Sequence, residues 1–140
     1  MAVAAHVGKV SKDYSPYGFS IMEDARARFG ALAHSSSHDV CVHVPLDADV
    51  YVESATLVFD GAAAANADWN VTLYNHSTSV ALTSASVATG SVAALTPQAL
   101  VVNQNQVVKK DAVLIAKFTD DGSAGNSPSG VVIVRYRRKA

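Results

Sequence analysis

The sequence has too few cysteines to form the disulfide bonds that stabilise many small proteins. It has one cysteine in 140 residues, Cys41. A single thiol cannot close an internal disulfide, so the fold must come from a packed core, and 140 residues suffice to form one as a single domain. Cys41 alternates with Val40 and Val42, a context that predicts a small buried side chain.

Charged residues are also scarce. They make up 16% of the chain, against about a quarter in a typical soluble domain. The formal net charge is −1, which argues against nucleic-acid binding because such domains are usually strongly basic. So few charges predict that part of the surface is covered by a partner.

Long apolar segments are missing as well. No run approaches the roughly 20 residues that cross a bilayer. Near the start of the chain, Lys9, Lys12 and Asp13 interrupt what would be the apolar stretch of a signal peptide. We therefore expect a protein that is made in a cytoplasm and has no membrane partner.

Alternating apolar and polar residues are the main structural signal that is present. Between Asp39 and Asp60 the alternation runs through two segments separated by a turn at residues 45–49, which predicts two neighbouring β-strands. The apolar parity changes at Glu53 and Ser54, and this change predicts a β-bulge.

Further segments repeat this pattern along the chain. Residues 21–33 fit either a helix or a strand, and the strand is favoured because the apolar residues at odd positions from 25 to 33 share one face. This strand, at residues 26–33, is expected to form a hairpin with residues 40–44, and Trp69 in an alternating segment is expected in the core. Later strands are expected at residues 69–74, near 80–82 and 100–102, at 112–119, and at 131–138, where residues 132, 134 and 136 face the core. Residues 83–96 are interpreted either as a thin strand near residue 87 or as a loop. Seven or eight short strands with frequent turns predict an all-β fold, a single antiparallel β-sandwich of jelly-roll type.

The beginning of the chain has a different composition. Residues 1–24 are predicted to form an extended N-terminal arm ahead of a sandwich domain at residues 25–140. The arm has too few apolar residues to offset the entropy of its own ordering, so we expect a neighbouring chain to hold it. The candidate interface residues are Tyr14, Tyr17, Phe19 and Met22 in the arm, and Arg135, Arg137 and Arg138 as charged contacts.

These arginines belong to the sharpest charge feature of the sequence. Residues 135–139 read RYRRK at the end of the last predicted strand. The cluster is interpreted either as a contact for an acidic partner surface or as a solvated strand end.

Motifs that carry chemistry are lacking. His34 and His38 have a spacing that suits zinc on a helix, but three serines between them indicate a turn. The acidic turns at residues 47–49 and 120–122 lack the ligand spacing of a calcium loop. There is no nucleophile elbow and no phosphate-binding loop. The sequence predicts no enzyme, no metal and no cofactor.

Several of these segments resemble those of small β-sandwich virion proteins of tailed bacteriophages. The likeness begins with VPLDADV at residues 44–50, which leads into ATLVFD at residues 55–60. It continues with the strand at residues 69–74, which ends near an asparagine turn, and with the strands at 113–118 and 131–138. As a pattern it spans residues 25–138.

The resemblance implies a function. Such virion proteins decorate or cement the capsid, are generally not enzymes, and often lay N-terminal arms on neighbouring subunits. By resemblance, this chain is expected to be a capsid decoration or cement protein that forms homo-oligomers, resides in the virion, and contacts the major capsid protein or other virion proteins. The alternative is a carbohydrate- or receptor-binding module of a virion.

Overall fold

A computed structural model gives the structure of the chain and describes residues 22–33, 37–62, 69–83, 87–88, 93–103, 106–120 and 126–139. In these ranges all regular elements are β-strands, and the strands form two antiparallel sheets that pack together. The predicted all-β sandwich is confirmed. Tyr14, Tyr17 and Phe19 of the predicted arm lie outside the described residues, as does His34.

Ten strands are found within the described residues. In chain order they are β1 (Met22–Phe29), β2 (Ser37–His43), β3 (Val50–Phe59), β4 (Trp69–Asn75), β5 (Val80–Ala81), β6 (Val87–Ala88), β7 (Gln98–Leu100), β8 (Val107–Val108), β9 (Leu114–Asp120) and β10 (Gly130–Arg138). The strands predicted between residues 50 and 59, 69 and 74, and 131 and 138 agree closely with β3, β4 and β10.

The strand order brings the two ends of the described chain together. The first sheet has the order β1-β10-β3-β7, with β8 also on β3, and the second has the order β2-β9-β4-β5, with β6 also on β4. All pairings are antiparallel, and β1 and β10 pair over eight residues without a break. Residues near the start of β1 therefore lie beside residues near the end of β10.

The bulge that parity predicted is present in β3. Arg135 of β10 lies opposite Ser54, and the next residue, Tyr136, lies opposite Val52, so Glu53 is the extra residue. The inserted residue resets the alternation, and Val52 and Ala55 both face the core.

Aromatic side chains close the space between the sheets. Trp69, Phe59 and Phe118 are fully buried, which confirms the prediction that Trp69 is a core residue. Phe29 from the first sheet packs against Phe118 from the second with ring centroids 4.8 Å apart, and meets Phe59 edge-on at 6.0 Å. These contacts join β1, β3 and β9 across the core.

The predicted hairpin between residues 26–33 and 40–44 is wrong. The first strand is β1, Met22–Phe29, and it pairs with β10, whereas β2 pairs with β9 in the other sheet. Alternation had correctly identified the inward side chains of β1, but it carries no information about which strand lies alongside. Residues 22–24, assigned to the arm by the sequence, belong to β1.

The expectation that β2 and β3 are neighbours is also wrong, because they lie in different sheets. The segment between them crosses one end of the sandwich. Cys41 is exposed, contrary to its predicted burial. Val42 is buried and Val40 packs against the core, so the alternation turns Cys41 outward on β2, which has only β9 as a sheet neighbour among the described strands.

Candidate functional site

A cleft of about 300 Å³ lies at one end of the sandwich, which we call the cleft end. At this end β1 and β3 begin and β2 and β10 finish. The lining combines apolar residues of the β2–β3 connection with polar side chains from the strand ends: Glu23, His43, Val44, Pro45, Leu46, Asp47, Ala48, Val50, Tyr136 and Arg138.

The connection that forms one wall of the cleft is firmly attached to the body of the protein. The carboxylate of Asp49 accepts a hydrogen bond from the backbone N–H of Lys110 at 2.8 Å, and this bond is the main reason that its pKa lies below the ordinary value. The Pro45 carbonyl accepts from Asp111 N–H at 2.7 Å, and the Asp49 carbonyl accepts from Lys139 N–H at 2.9 Å. The wall is therefore pre-formed.

Polar groups in the cleft hold one another in place. A guanidinium nitrogen of Arg138 donates to Asp47 Oδ2 at 3.0 Å, and Arg138 Nε lies 4.0 Å from Glu23 Oε2. The Tyr136 hydroxyl donates to Glu23 Oε1 at 3.3 Å. The side chains of Arg138 and Glu23 are only 20% and 23% exposed, so this pair is less screened by solvent than a surface ion pair.

A histidine and a tyrosine in the lining of the cleft contact each other. The rings of His43 and Tyr136 stack with centroids 4.5 Å apart and an interplanar angle of 27°. Burial lowers the pKa of His43, and the nearby charge of Glu23 only partly opposes this effect. Burial, together with Glu23, raises the pKa of Tyr136. Both rings are therefore neutral at pH 7.

The other two arginines of the predicted site lie on the outer face of the first sheet. Arg135 Nε donates to Asp24 Oδ1 at 3.0 Å, and this bond lowers the pKa of Asp24. Arg137 pairs with Glu53 and lies over the Tyr51 ring at 4.3 Å. Each arginine of the basic cluster thus has a carboxylate partner within its own chain.

Apolar side chains also gather at the cleft end. Within the described ranges the exposed large hydrophobic residues are Met22, Leu46, Val80, Leu95 and Val101. Met22 begins β1, Leu46 lies on the cleft, and Val80 begins β5 opposite the last residue of β4. The predicted interface residue Met22, 46% exposed, is therefore one of three large, exposed apolar side chains of the described residues at this end.

Sequence reasoning missed the grouping of Glu23, His43 and Tyr136. Glu23 and Tyr136 are 113 positions apart, and only the pairing of β1 with β10 brings them together. The parity of β10 did place Tyr136 on the inner face, which was the one available signal.

The structure places His38 against Trp69, with ring centroids 5.7 Å apart, and its Nε2 lies 3.0 Å from the Ala33 carbonyl oxygen. Across the described ranges, no three His, Cys, Asp or Glu side chains meet in a way that would bind a metal ion.

In that same part of the chain, no helix has the length and apolar character needed to cross a bilayer.

Comparisons of this chain with protein-family models, with curated proteins and with solved structures give no match.

The buried histidine predicts a specific dependence of stability on pH. Because the pKa of His43 is lower in the folded protein than the ordinary 6.5, the unfolded chain binds a proton first as the pH falls. The contribution of neutral His43 to stability is therefore fully present above about pH 6.5, and it is lost progressively as the pH falls below this value. Replacing His43 with glutamine should reduce the loss of unfolding free energy between about pH 7.5 and 5.5, measured by urea denaturation.

The matched control is His76→Gln, because His76 is exposed in the turn after β4. This variant should lose stability over the same pH interval to the same extent as the wild type. An equal loss in the His43 variant would show that His43 is not the group responsible. The carboxylates of Asp24, Asp49 and Asp60, whose pKa values are lowered, add a separate loss below about pH 4.

Proposed function

We propose that this chain is a structural protein of a bacteriophage virion, a capsid decoration or cement protein. The observation that carries the proposal is the strand order. We interpret β5 with β6, and β7 with β8, as two interrupted strands, so that the two sheets follow the order of an eight-stranded jelly roll. Viral capsid domains use this architecture.

The function proposed is mechanical. A sandwich whose arginines are paired with its own carboxylates offers a rigid body with little uncompensated charge, and Met22, Leu46 and Val80 offer apolar contacts at the cleft end. Partner contacts of this kind bury about 1,200–2,000 Å² in a stable complex. The proposed partners are the major capsid protein, other virion proteins and further copies of the chain.

The N-terminal segment is the second part of the proposed contact surface. It joins β1 at Met22, directly at the cleft end, so that its aromatic residues and the exposed apolar residues of this end can contact the same neighbour. In this proposal Tyr14, Tyr17 and Phe19 anchor the segment on an adjacent subunit, in the manner of the virion proteins that the sequence resembles.

Deleting residues 1–20 should abolish binding to capsid shells and leave the domain folded. The fold should persist because the deletion ends before β1, which begins at Met22. Circular dichroism reports the fold, and co-sedimentation with shells that lack the protein reports binding.

The control for this deletion is Leu95→Ala in the full chain, because Leu95 is a large exposed apolar side chain, 70% accessible, whose backbone N–H bonds Phe59 at the opposite end of the sandwich. This variant should sediment with shells like the wild type. A truncated chain that binds shells as tightly as the full chain would rule out the role of the N-terminal segment.

A further inference from the structure

The cleft has features of a ligand site that a purely mechanical role does not require. Its volume, about 300 Å³, is at the lower limit of small-molecule sites and suits one sugar ring better than a nucleotide or a larger cofactor. Its apolar wall is pre-formed, and its polar groups converge from three parts of the chain. Concave sites with convergent polar groups and shifted pKa values are favoured locations for ligands.

The charges of the lining disfavour strongly charged ligands. Asp47 and Glu23 both lie near the single guanidinium of Arg138, at 3.0 Å and 4.0 Å. Two carboxylates beside one guanidinium would repel a phosphate or a sulfate, and the contacts of both carboxylates with Arg138 weaken their attraction for a metal ion or an amine. His43 adds no charge at pH 7, because burial lowers its pKa. The favoured ligand is therefore neutral and polar.

Donors and acceptors alternate in the cleft. A carboxylate has about four acceptor positions and a guanidinium five donors, so Glu23 and Arg138 can bind each other and a ligand hydroxyl at the same time. A sugar hydroxyl both donates and accepts, and two adjacent hydroxyls can donate to Glu23 while they accept from Arg138. The spacing of these two groups, 4.0 Å between Arg138 Nε and Glu23 Oε2, suits such a pair.

The apolar residues of the lining are suited to the apolar face of a sugar ring. Val44, Pro45 and Leu46 line the cleft from the β2–β3 connection, and Leu46 is 68% exposed. The C–H groups on one face of a pyranose can pack on these side chains and remove apolar surface from water. His43 and Tyr136, which stack on each other, belong to the same lining.

From this geometry we propose that the cleft binds a neutral pyranose, either a free monosaccharide or the terminal sugar of a glycan. Arg138, Glu23 and Asp47 bind its hydroxyls, and residues 44–46 contact its apolar face. The inference goes beyond the structural role proposed above and does not depend on it. A virion protein with this site would also attach to sugars on a surface.

The test is saturation-transfer NMR on the full chain with a panel of neutral methyl pyranosides. At least one member should give a signal with a Kd of millimolar order, which is the affinity expected of a ligand with so few atoms. Arg138→Lys keeps the charge but removes the fork of donors, and it should weaken binding about tenfold. Asp47→Asn should also weaken it.

The matched control is Arg28→Lys, because Arg28 makes the same kind of two-point contact with Asp60, at 2.9 Å and 2.7 Å, far from the cleft. This variant should bind the sugar like the wild type. If Arg138→Lys disturbs the fold, the binding measured for Asp47→Asn decides the outcome. Asp47 is 72% exposed, so its replacement should leave the fold intact. The proposal is overturned if no pyranoside gives a signal at about 10 mM, or if the cleft and control variants bind equally. A negative result in this sugar-binding test would not contradict the proposed binding to capsid shells, which is measured separately.

Discussion

Replacing Phe118 with alanine should lower the free energy of unfolding by about 3–5 kcal/mol. Phe118 is fully buried in β9, in the centre of the second sheet, and packs against Phe29 of the first sheet with ring centroids 4.8 Å apart. The substitution removes apolar contact and leaves a cavity between two sheets whose hydrogen-bonded backbones allow little collapse. Urea denaturation measures the change.

Two controls separate this effect from a general sensitivity of the fold. Phe118→Leu keeps most of the volume and should cost clearly less than the alanine variant. Val80→Ala removes a side chain that is 48% exposed, and it should change the free energy of unfolding by no more than about 0.5 kcal/mol. Equal denaturation midpoints for Phe118→Ala and Val80→Ala would contradict the packing of the two sheets described here.

Replacing Gly130 with alanine should also destabilise the protein strongly, by about 1–3 kcal/mol or more. Gly130 begins β10 and lies between Phe29 of β1 and Phe59 of β3. An added Cβ would overlap the backbone carbonyl oxygen of Val58 and would lie 2.9 Å from Phe29 Cζ. A backbone atom in a paired strand cannot move aside as the end of a flexible side chain can, so the strands themselves must shift.

Gly30→Ala is the matched control for this substitution. A Cβ at Gly30 has no atom within 4 Å, so the same chemical change there should alter the free energy of unfolding by no more than about 1 kcal/mol. The change can be stabilising, because alanine lowers the conformational entropy of the unfolded chain. Thermal and urea denaturation of the two variants test the difference. Equal stability of the two variants would show that the close approach at Gly130 is not part of the fold.

The sequence predicted those features that depend on local alternation. It identified β3 and the bulge at Glu53, the core position of Trp69, and the inward face of β10, because a strand with one buried face has a period of two residues. These features follow from which side chains can leave water, and they need no knowledge of the neighbouring strand.

Features that depend on strand pairing were not predictable in this way. The hairpin expected after β1 does not form, and Cys41 is exposed, because pairing partners are set by packing across the whole sandwich. The cleft has the same origin, since Glu23 and Tyr136 are brought together by the pairing of β1 with β10. Alternation shows that a strand has two faces, but it does not show where its edge lies.

The arginines of β10 illustrate the same limit. From the sequence, a run of arginines at the end of a strand suggested charged contacts with a partner. In the folded chain Arg135 and Arg138 bind Asp24 and Asp47, residues that are distant in the sequence. For a proposed partner, the apolar residues at the cleft end are consequently a better candidate contact than the charges.

The most direct test of the proposed function is the stoichiometry of binding to capsid shells. Cys41 is the single thiol of the chain and is exposed, so a dye attached there can report how many copies sediment with purified phage shells that lack the protein. The proposal predicts that binding saturates at a fixed number of copies per shell. Binding that never saturates, or a chain that stays in the supernatant with every shell, would contradict it.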